Sequence, residues 1–155
     1  MKRLPALTAL IILLAASAPA AHGLTFLIDT WVDVLPGDME SERRINVVSA
    51  ETGVMDALFD TGSIFFNVYT VPGEGVSARN LQASLGHADD VGAGYLLVLN
   101  PGQQKVGWEL RTVADGALVA DGSEGLEDID PNLDSRYRWI VLGQRIAEAV
   151  FRHAR

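Results

Sequence analysis

Residues 95–99 form an unbroken apolar run, Tyr95-Leu-Leu-Val-Leu99, and Asn100-Pro101-Gly102 follows it directly. An apolar run of this length without alternating polar residues is typical of a strand that is covered on both faces. The Asn-Pro-Gly sequence is a strong turn signal, so the strand should end there. The run therefore predicts a buried strand in a sheet that carries helices on both sides.

Upstream of this run, strand patterns alternate with helix patterns. Residues 24–35 are rich in β-branched and aromatic types and end at a Pro-Gly-Asp turn, and residues 64–71 form a second strand-like run. A second helix pattern begins near Ser77 and ends at Gly92. Its predicted buried face consists of Leu81, Leu85, Ala88 and Val91.

The first helix pattern lies between Ser41 and Asp60. Apolar residues recur there at spacings of three and four, which predicts one buried face. These residues are Ile45, Val48, Met55, Leu58 and Phe59. Ser41 and Ser49 are alternative caps for its start, Gly53 costs about 1 kcal/mol relative to alanine, and Gly62 is the predicted stop.

Downstream of the apolar run the pattern changes to strict alternation. Residues 105–123 alternate apolar and polar side chains around the turn Asp115-Gly116, which predicts a β-hairpin. An acidic loop over residues 124–134 follows, and a last helix, capped by Asp134 or Ser135, extends to about His153. The order β-α-β-α-β-β-α predicts an α/β (α+β) domain: a mixed sheet with helices packed on it, in a single domain.

The N-terminus has the pattern of a secretory signal peptide. Lys2 and Arg3 precede a short apolar segment, and Ala18-Pro19-Ala20 supplies the small residues that signal peptidase accepts. The sequence thus predicts a signal peptide at 1–21, cleaved near Ala20 or Ala21, and a single α/β domain at 22–155. The product should be periplasmic or secreted, with no stable membrane span after cleavage, because the apolar segment is shorter than a spanning helix needs.

Composition excludes several classes of protein. The 155 residues include 12 Lys and Arg, 20 Asp and Glu and no cysteine, which gives a formal net charge of −8. An acidic chain of this kind does not suit a nucleic-acid binder. Without cysteine there is no disulfide framework, zinc ribbon, thiol nucleophile or lipid-attachment site.

The strongest catalytic motif is Phe59-Asp60-Thr61-Gly62-Ser63. It resembles the catalytic motif of retropepsin-like aspartic proteases, in which two aspartates share one proton to activate water. Those proteases are almost entirely β, whereas the residues before Asp60 have helical spacing. The alternatives are therefore a protease centred on Asp60, which would have to dimerise, and a structural sequence that ends a helix at Gly62.

The acidic loop contains a partial metal-binding pattern. Asp128, Asp130, Asn132 and Asp134 match the first four positions of a calcium loop. Leu133 stands where that loop needs glycine, and Trp139 stands where it needs a bidentate glutamate. We therefore predict no metal site and no cofactor, and we interpret the loop as a solvated segment that supplies negative charge to the last helix.

The segment Asp90-Val-Gly-Ala-Gly-Tyr-Leu-Leu-Val-Leu99 resembles the Gly-Ala-Asp-Tyr strand of a superfamily of bacterial envelope proteins. That superfamily includes the curli-secretion lipoproteins, TolB-N-terminal-like domains and penicillin-binding-protein activators. The similarity continues in residues 57–62, where a helix runs into a strand, and in the hairpin at 108–119. Gly94 replaces the usual aspartate, the lipid-attachment cysteine is missing, and no pore-forming transmembrane hairpin is visible.

This resemblance implies an adaptor or regulator that binds other envelope components, and it supplies no catalytic residues. We therefore expect an exported, non-enzymatic binding domain whose partner is another envelope protein. Its sheet edge or its acidic loop would be the contact surface. The aspartic protease centred on Asp60 is the alternative.

Overall fold

The computed structural model describes residues 23–71 and 77–154, so the predicted signal peptide lies outside the described residues. These residues form the predicted order of elements. The strands and helices are β1 (Thr25–Trp31), α1 (Ser41–Asp60), β2 (Ile64–Thr70), α2 (Ser77–Asp90), β3 (Tyr95–Pro101), β4 (Lys105–Thr112), β5 (Leu118–Gly125) and α3 (Ser135–His153). A short 3-10 helix, Leu126–Asp128, lies between β5 and α3.

The sheet has the strand order β2-β1-β3-β4-β5. β1 pairs in parallel with β2 and with β3, whereas β3-β4 and β4-β5 are antiparallel. The two β-α-β crossovers produce the parallel half and the hairpin produces the antiparallel half. This arrangement confirms the predicted mixed α/β sheet, and within residues 23–71 and 77–154 it leaves β2 and β5 at the edges.

β3 is covered on both faces, as its apolar run predicts. Leu96 and Val98 pack in a cluster with Ala88 of α2. Leu97 and Leu99 point to the opposite face, where they join the larger core beneath α1 and α3. All four side chains are buried, and each contributes about 1.5–3 kcal/mol of transfer free energy, so β3 anchors the sheet between its helical layers.

α1 and α3 lie side by side on one face of the sheet and approach each other at two glycines. A Cβ at Gly53 would lie 2.0 Å from the Ile140 carbonyl oxygen, and one at Gly143 would lie 1.9 Å from the Ala50 carbonyl oxygen. Only glycine permits such contact between helix backbones. Gly53, which weakens the helix pattern in the sequence, is therefore required by packing.

One predicted strand boundary and both predicted caps of α1 are wrong. β1 ends at Trp31, before residue 35, because Val32 and Met39 of the following loop pack against Val47 of α1. Neither Ser41 nor Ser49 caps α1. The cap position is Glu40, which makes no side-chain capping bond.

The start of α3 and the ends of the first two helices agree better with the sequence. Asp134 caps α3 by accepting a hydrogen bond from the Arg136 amide at 2.9 Å. Gly62 and Gly92 have φ of 75° and 69°, which are the left-handed values expected of residues that end helices. Among residues 23–71 and 77–154, none of the helices is long and apolar enough to cross a bilayer.

Candidate functional site

The apolar residues that predicted a buried face on α1 lie mainly on an exposed flank. Phe59 is 71% exposed, Ile45 is 45% exposed and Val48 is 40% exposed. The buried positions of α1 include Val47, Ala50, Val54 and Leu58. The predicted face is therefore wrong for Ile45, Val48 and Phe59, whereas Leu58 is buried and the half-buried Met55 packs against the core. Helical spacing shows which residues share a side but not which side a neighbour covers.

The position of this flank follows from helix geometry. Ala50 and Gly53 face α3. Val48 lies two residues before Ala50, and Met55 lies two residues after Gly53. Two residues correspond to a rotation of about 200° around the helix axis, so both side chains point away from α3. Since α3 packs against β5, this side of α1 faces the β2 edge. We call the exposed Ile45, Val48 and Phe59, together with the half-buried Met55 beside the core, the apolar flank.

β2 is an unprotected edge strand in the described part of the chain. The Ile64 amide donates to the Leu24 carbonyl at 2.9 Å, and the Thr70 carbonyl accepts from the Val32 amide at 2.9 Å. In a parallel strand the backbone groups of alternate residues point to opposite sides. The amides and carbonyls of Phe65, Asn67 and Tyr69 therefore point away from β1, towards the open edge.

The sequence of β2 contains none of the features that usually prevent edge pairing. Ile64–Thr70 carries no charge and no proline, and Ile64 and Phe66 are 58% and 42% exposed. Natural edge strands are commonly protected by charged side chains, proline or bulges. An uncharged edge with exposed apolar side chains is therefore suited to pairing with another strand.

The opposite edge of the sheet has such protection. β5 carries Asp121 and Glu124, includes two glycines, and pairs with β4 through a register shift between Leu110 and Arg111. Charges and irregular register both oppose the addition of a further strand. The β5 edge is thus protected against strand pairing and the β2 edge is not. Of these two edges, β2 is the one that suits a protein contact.

A buried carboxyl group fixes the position of β2 beneath α1. Glu51 of α1 is 2% exposed and accepts hydrogen bonds from Thr30 Oγ1 at 3.2 Å, Asn67 Nδ2 at 3.5 Å and the Tyr69 hydroxyl. Burial raises the pKa of Glu51 above its ordinary value of 4.5, while its hydrogen bonds oppose that rise. Burial and the neighbouring Glu51 raise the pKa of Tyr69. This network joins α1 to β1 and β2.

A second buried carboxyl group lies on the other face of β1. Asp29 Oδ2 accepts hydrogen bonds from Thr70 Oγ1 at 3.0 Å and from the Ser84 hydroxyl of α2. Its Oδ1 makes no hydrogen bond within the described residues. Because Asp29 and Thr30 are consecutive in a strand, Asp29 and Glu51 lie on opposite faces of the sheet, so they cannot share a proton as a catalytic pair does.

Sequence reasoning missed both buried carboxyl groups. An aspartate inside the otherwise uncharged strand TFLIDTW was the available signal for Asp29, since buried charged groups are rare unless they are paired. Glu51 gave no comparable signal, because a glutamate within a helix is ordinary.

The Asp60 motif forms a helix end. The Ser63 amide donates to Leu58 O at 3.1 Å and the Gly62 amide donates to Phe59 O at 2.8 Å, which is the Schellman pattern. Asp60 is exposed, and its carboxylate makes no hydrogen bond or ion pair within the described residues. The structure gives the protease alternative no support.

The four residues of the partial calcium pattern have separate local roles or none. Asp130 Oδ1 accepts from the Asn132 amide and from Asn132 Nδ2, both at 2.9 Å, and Asp134 caps α3. Asp128 contributes its carbonyl, which accepts from Arg145. Across residues 23–71 and 77–154, no group of three or more His, Cys, Asp and Glu side chains is arranged to hold a metal ion.

Two adjoining cavities of about 630 and 270 Å³ lie at the carboxyl ends of β1 and β3. They share Glu40, Arg43 and the turn at residues 101–103, and Asp33 and Asp38 line the larger one. Arg43 forms an ion pair with Asp33. Among the described residues that line the two cavities there is no serine, threonine, cysteine or histidine, so these residues supply neither a nucleophile of those types nor an imidazole base.

The sequence matches no protein-family model and has no significant match to a curated protein. Similar solved structures include two of the PelC dodecamer from Paraburkholderia phytofirmans. They have TM-scores of 0.49 and 0.47 and 12% identity, and they cover 85% and 86% of this chain and 89% of PelC. The LpoB C-terminal domain from Escherichia coli has a TM-score of 0.32 and 14% identity, over 74% of this chain and 90% of that domain. Likenesses at this level give no information about function.

Proposed function

We propose that this chain is an exported, non-enzymatic binding domain of the bacterial envelope, and that it contacts another envelope protein through the β2 edge. The observation that carries the proposal is the absence of charge and proline from an edge strand that exposes Ile64 and Phe66. The partner would add an extended segment to β2, with backbone hydrogen bonds to Phe65, Asn67 and Tyr69.

The surroundings of the edge support a specific contact. An added segment would have the apolar flank of α1 on one face, and it would lie beside Phe66 on the other. Backbone bonds supply affinity in this mode of recognition, whereas side chains on the two faces supply selectivity. Glu51 holds β2 in place beneath α1, so the edge is preorganised for pairing.

Site-specific photocrosslinking in intact cells of the source organism tests this proposal. A photoreactive phenylalanine analogue at position 66 should capture one defined envelope protein. The same analogue at Leu118, a residue of β5 that is 49% exposed, is the matched control and should not. Equal capture from both edges, or none from position 66, would contradict the proposal.

Two further measurements complete this test. The captured protein, once purified, should bind the parent chain, and Phe66→Lys should weaken that binding by at least about tenfold, or 1.4 kcal/mol. A charge placed on an edge strand opposes pairing in this way. Mass spectrometry of the exported protein should also find a new N-terminus at residue 21 or 22, because the proposed export requires cleavage after Ala20 or Ala21. An intact N-terminus would contradict the export proposal.

A further inference from the structure

The outward-facing backbone of β2 and the apolar flank of α1 share a midpoint. Asn67 is the middle of the three residues that point towards the open edge. It donates a hydrogen bond at 3.5 Å to Glu51, which is adjacent to Thr52. Thr52 is the midpoint of the flank, because Ile45 and Phe59 each lie seven residues from it. One twofold axis near Asn67 would therefore relate both surfaces to copies of themselves.

Antiparallel pairing of two β2 strands uses all the outward backbone groups. With Asn67 opposite Asn67 of a second copy, Phe65 lies opposite Tyr69 and each of the three residues forms a hydrogen-bonded pair. On the other face, Phe66 lies opposite Val68 of the second copy. The contact is thus self-complementary, as a closed twofold interface must be.

The same pairing brings the two α1 helices to packing distance. Residues directly opposite in an antiparallel pair point to the same face, so both α1 helices lie on one side of the joined sheet. α1 contacts Thr30 of β1 and Tyr69 of β2, so it lies above that pair of strands. At about 4.8 Å between strands, the two helix axes would be about 10 Å apart, which is within the range of packed helices.

At that separation the two exposed flanks would cover each other. The helices run antiparallel about Thr52, so Ile45 faces Phe59 of the second copy, and Val48 lies opposite its Asp56, next to Met55. Residues 61–71, which include all of β2, carry no charge, so the net charge of −8 places no like charges along the joined strands. The unprotected edge, the exposed flank and the shared midpoint are all accounted for by one contact.

We propose that a second copy of this chain occupies the β2 edge and forms a twofold-symmetric dimer with a continuous sheet of ten strands. This inference rests on the proposed function, since it uses the same surface. The dimer closes the edge when no other envelope protein is bound, and the two occupants exclude each other. Self-association therefore regulates access to the binding edge.

A single introduced cysteine tests the register. The chain contains no cysteine, and paired residues in an antiparallel hydrogen-bonded position have Cα atoms about 5.5 Å apart, which suits a disulfide. Diamide should therefore oxidise Asn67→Cys to a disulfide-linked dimer, with diamide itself reduced. Ser123→Cys, an exposed position on the β5 edge, is the matched control and should stay monomeric under denaturing conditions.

Sedimentation of the exported protein, purified from an exporting host, gives a second readout. The parent should be dimeric at about 100 µM, a concentration well above a micromolar Kd. Phe59→Lys and Phe66→Lys should be monomeric. Tyr137→Lys should remain dimeric, because Tyr137 is 55% exposed on α3, away from the flank. Unchanged circular dichroism would show that the variants are folded.

The outcomes separate this inference from the proposed function. A monomeric parent at about 100 µM, or equal crosslinking of Asn67→Cys and Ser123→Cys, would overturn the dimer. Capture of another envelope protein from position 66 would then still support the proposed function. Conversely, if position 66 captures only a second copy of this chain, the result would support the dimer and contradict the proposed contact with another envelope protein.

Discussion

The close approach of α1 and α3 yields a prediction whose size follows from the structure. Gly143→Ala would place a Cβ 1.9 Å from the Ala50 carbonyl oxygen and 2.9 Å from the Val54 amide nitrogen. The tight contacts that a Cβ atom can make lie at 3.0–3.4 Å. The two helices must therefore separate by 1.1–1.5 Å to relieve the contact with the Ala50 carbonyl oxygen. Both obstructing atoms belong to the backbone and cannot rotate away. A gap of about 1 Å already removes up to half of the dispersion energy of the contacts it opens.

Overpacking of this kind lowers the free energy of unfolding by about 3 kcal/mol at the upper end of its range. The higher helix propensity of alanine offsets about 1 kcal/mol of that loss. We therefore expect Gly143→Ala to lower the free energy of unfolding by about 2 kcal/mol, measured by urea denaturation. Gly86→Ala is the matched control. Gly86 lies in α2 and is exposed, and a Cβ there meets nothing within 4 Å, so this variant should gain up to about 1 kcal/mol. If both variants were stabilised equally, the reasoning on helix contact would be refuted.

Three other perturbations test the buried and capping groups. Burial raises the pKa of Glu51 in the folded state above its ordinary value of 4.5. The contribution of Glu51 to the free energy of unfolding is therefore fully present below pH 4.5 and is lost as the pH rises through the folded-state pKa. Glu51→Gln should therefore gain stability relative to the parent as pH is raised from 4.5 towards neutrality, and a constant difference in urea midpoints would contradict this. Asp134→Ala removes the cap of α3 and should cost about 1 kcal/mol in unfolding free energy, whereas an unchanged value would refute the capping role. Gly122→Ala would place a Cβ 2.7 Å from the Trp108 ring, so it should cost about 1–3 kcal/mol and alter the near-ultraviolet circular dichroism of that indole; an unchanged spectrum would exclude the contact.

Local signals in the sequence predict the fold well. The apolar run at 95–99 identifies the strand that is covered on both faces, and Leu96 to Leu99 are all buried. Gly62 and Asp134 mark helix ends through their own backbone and side-chain chemistry, so their positions depend little on distant residues.

The candidate site is less predictable because it depends on what each surface meets. Ile45, Val48 and Phe59 have the spacing of a buried face, and only the placement of α3 on the other side of α1 leaves them exposed. The hydrogen bonds of Glu51 to Thr30 and Tyr69 join residues about twenty positions apart, and Ser84 lies 55 positions from Asp29. No periodicity in the sequence encodes such pairs.

Amide hydrogen exchange at the β2 edge tests the central claim most directly. In dilute protein alone, the amides of Phe65, Asn67 and Tyr69 should exchange rapidly, whereas the Ile64 amide, which is bonded to Leu24, should be protected. When a saturating partner is added or the protein is concentrated, exchange of the three outward amides should slow and that of Ile64 should change little. If the three amides exchange at the same rate in the free and bound protein, the β2 edge is not the contact surface.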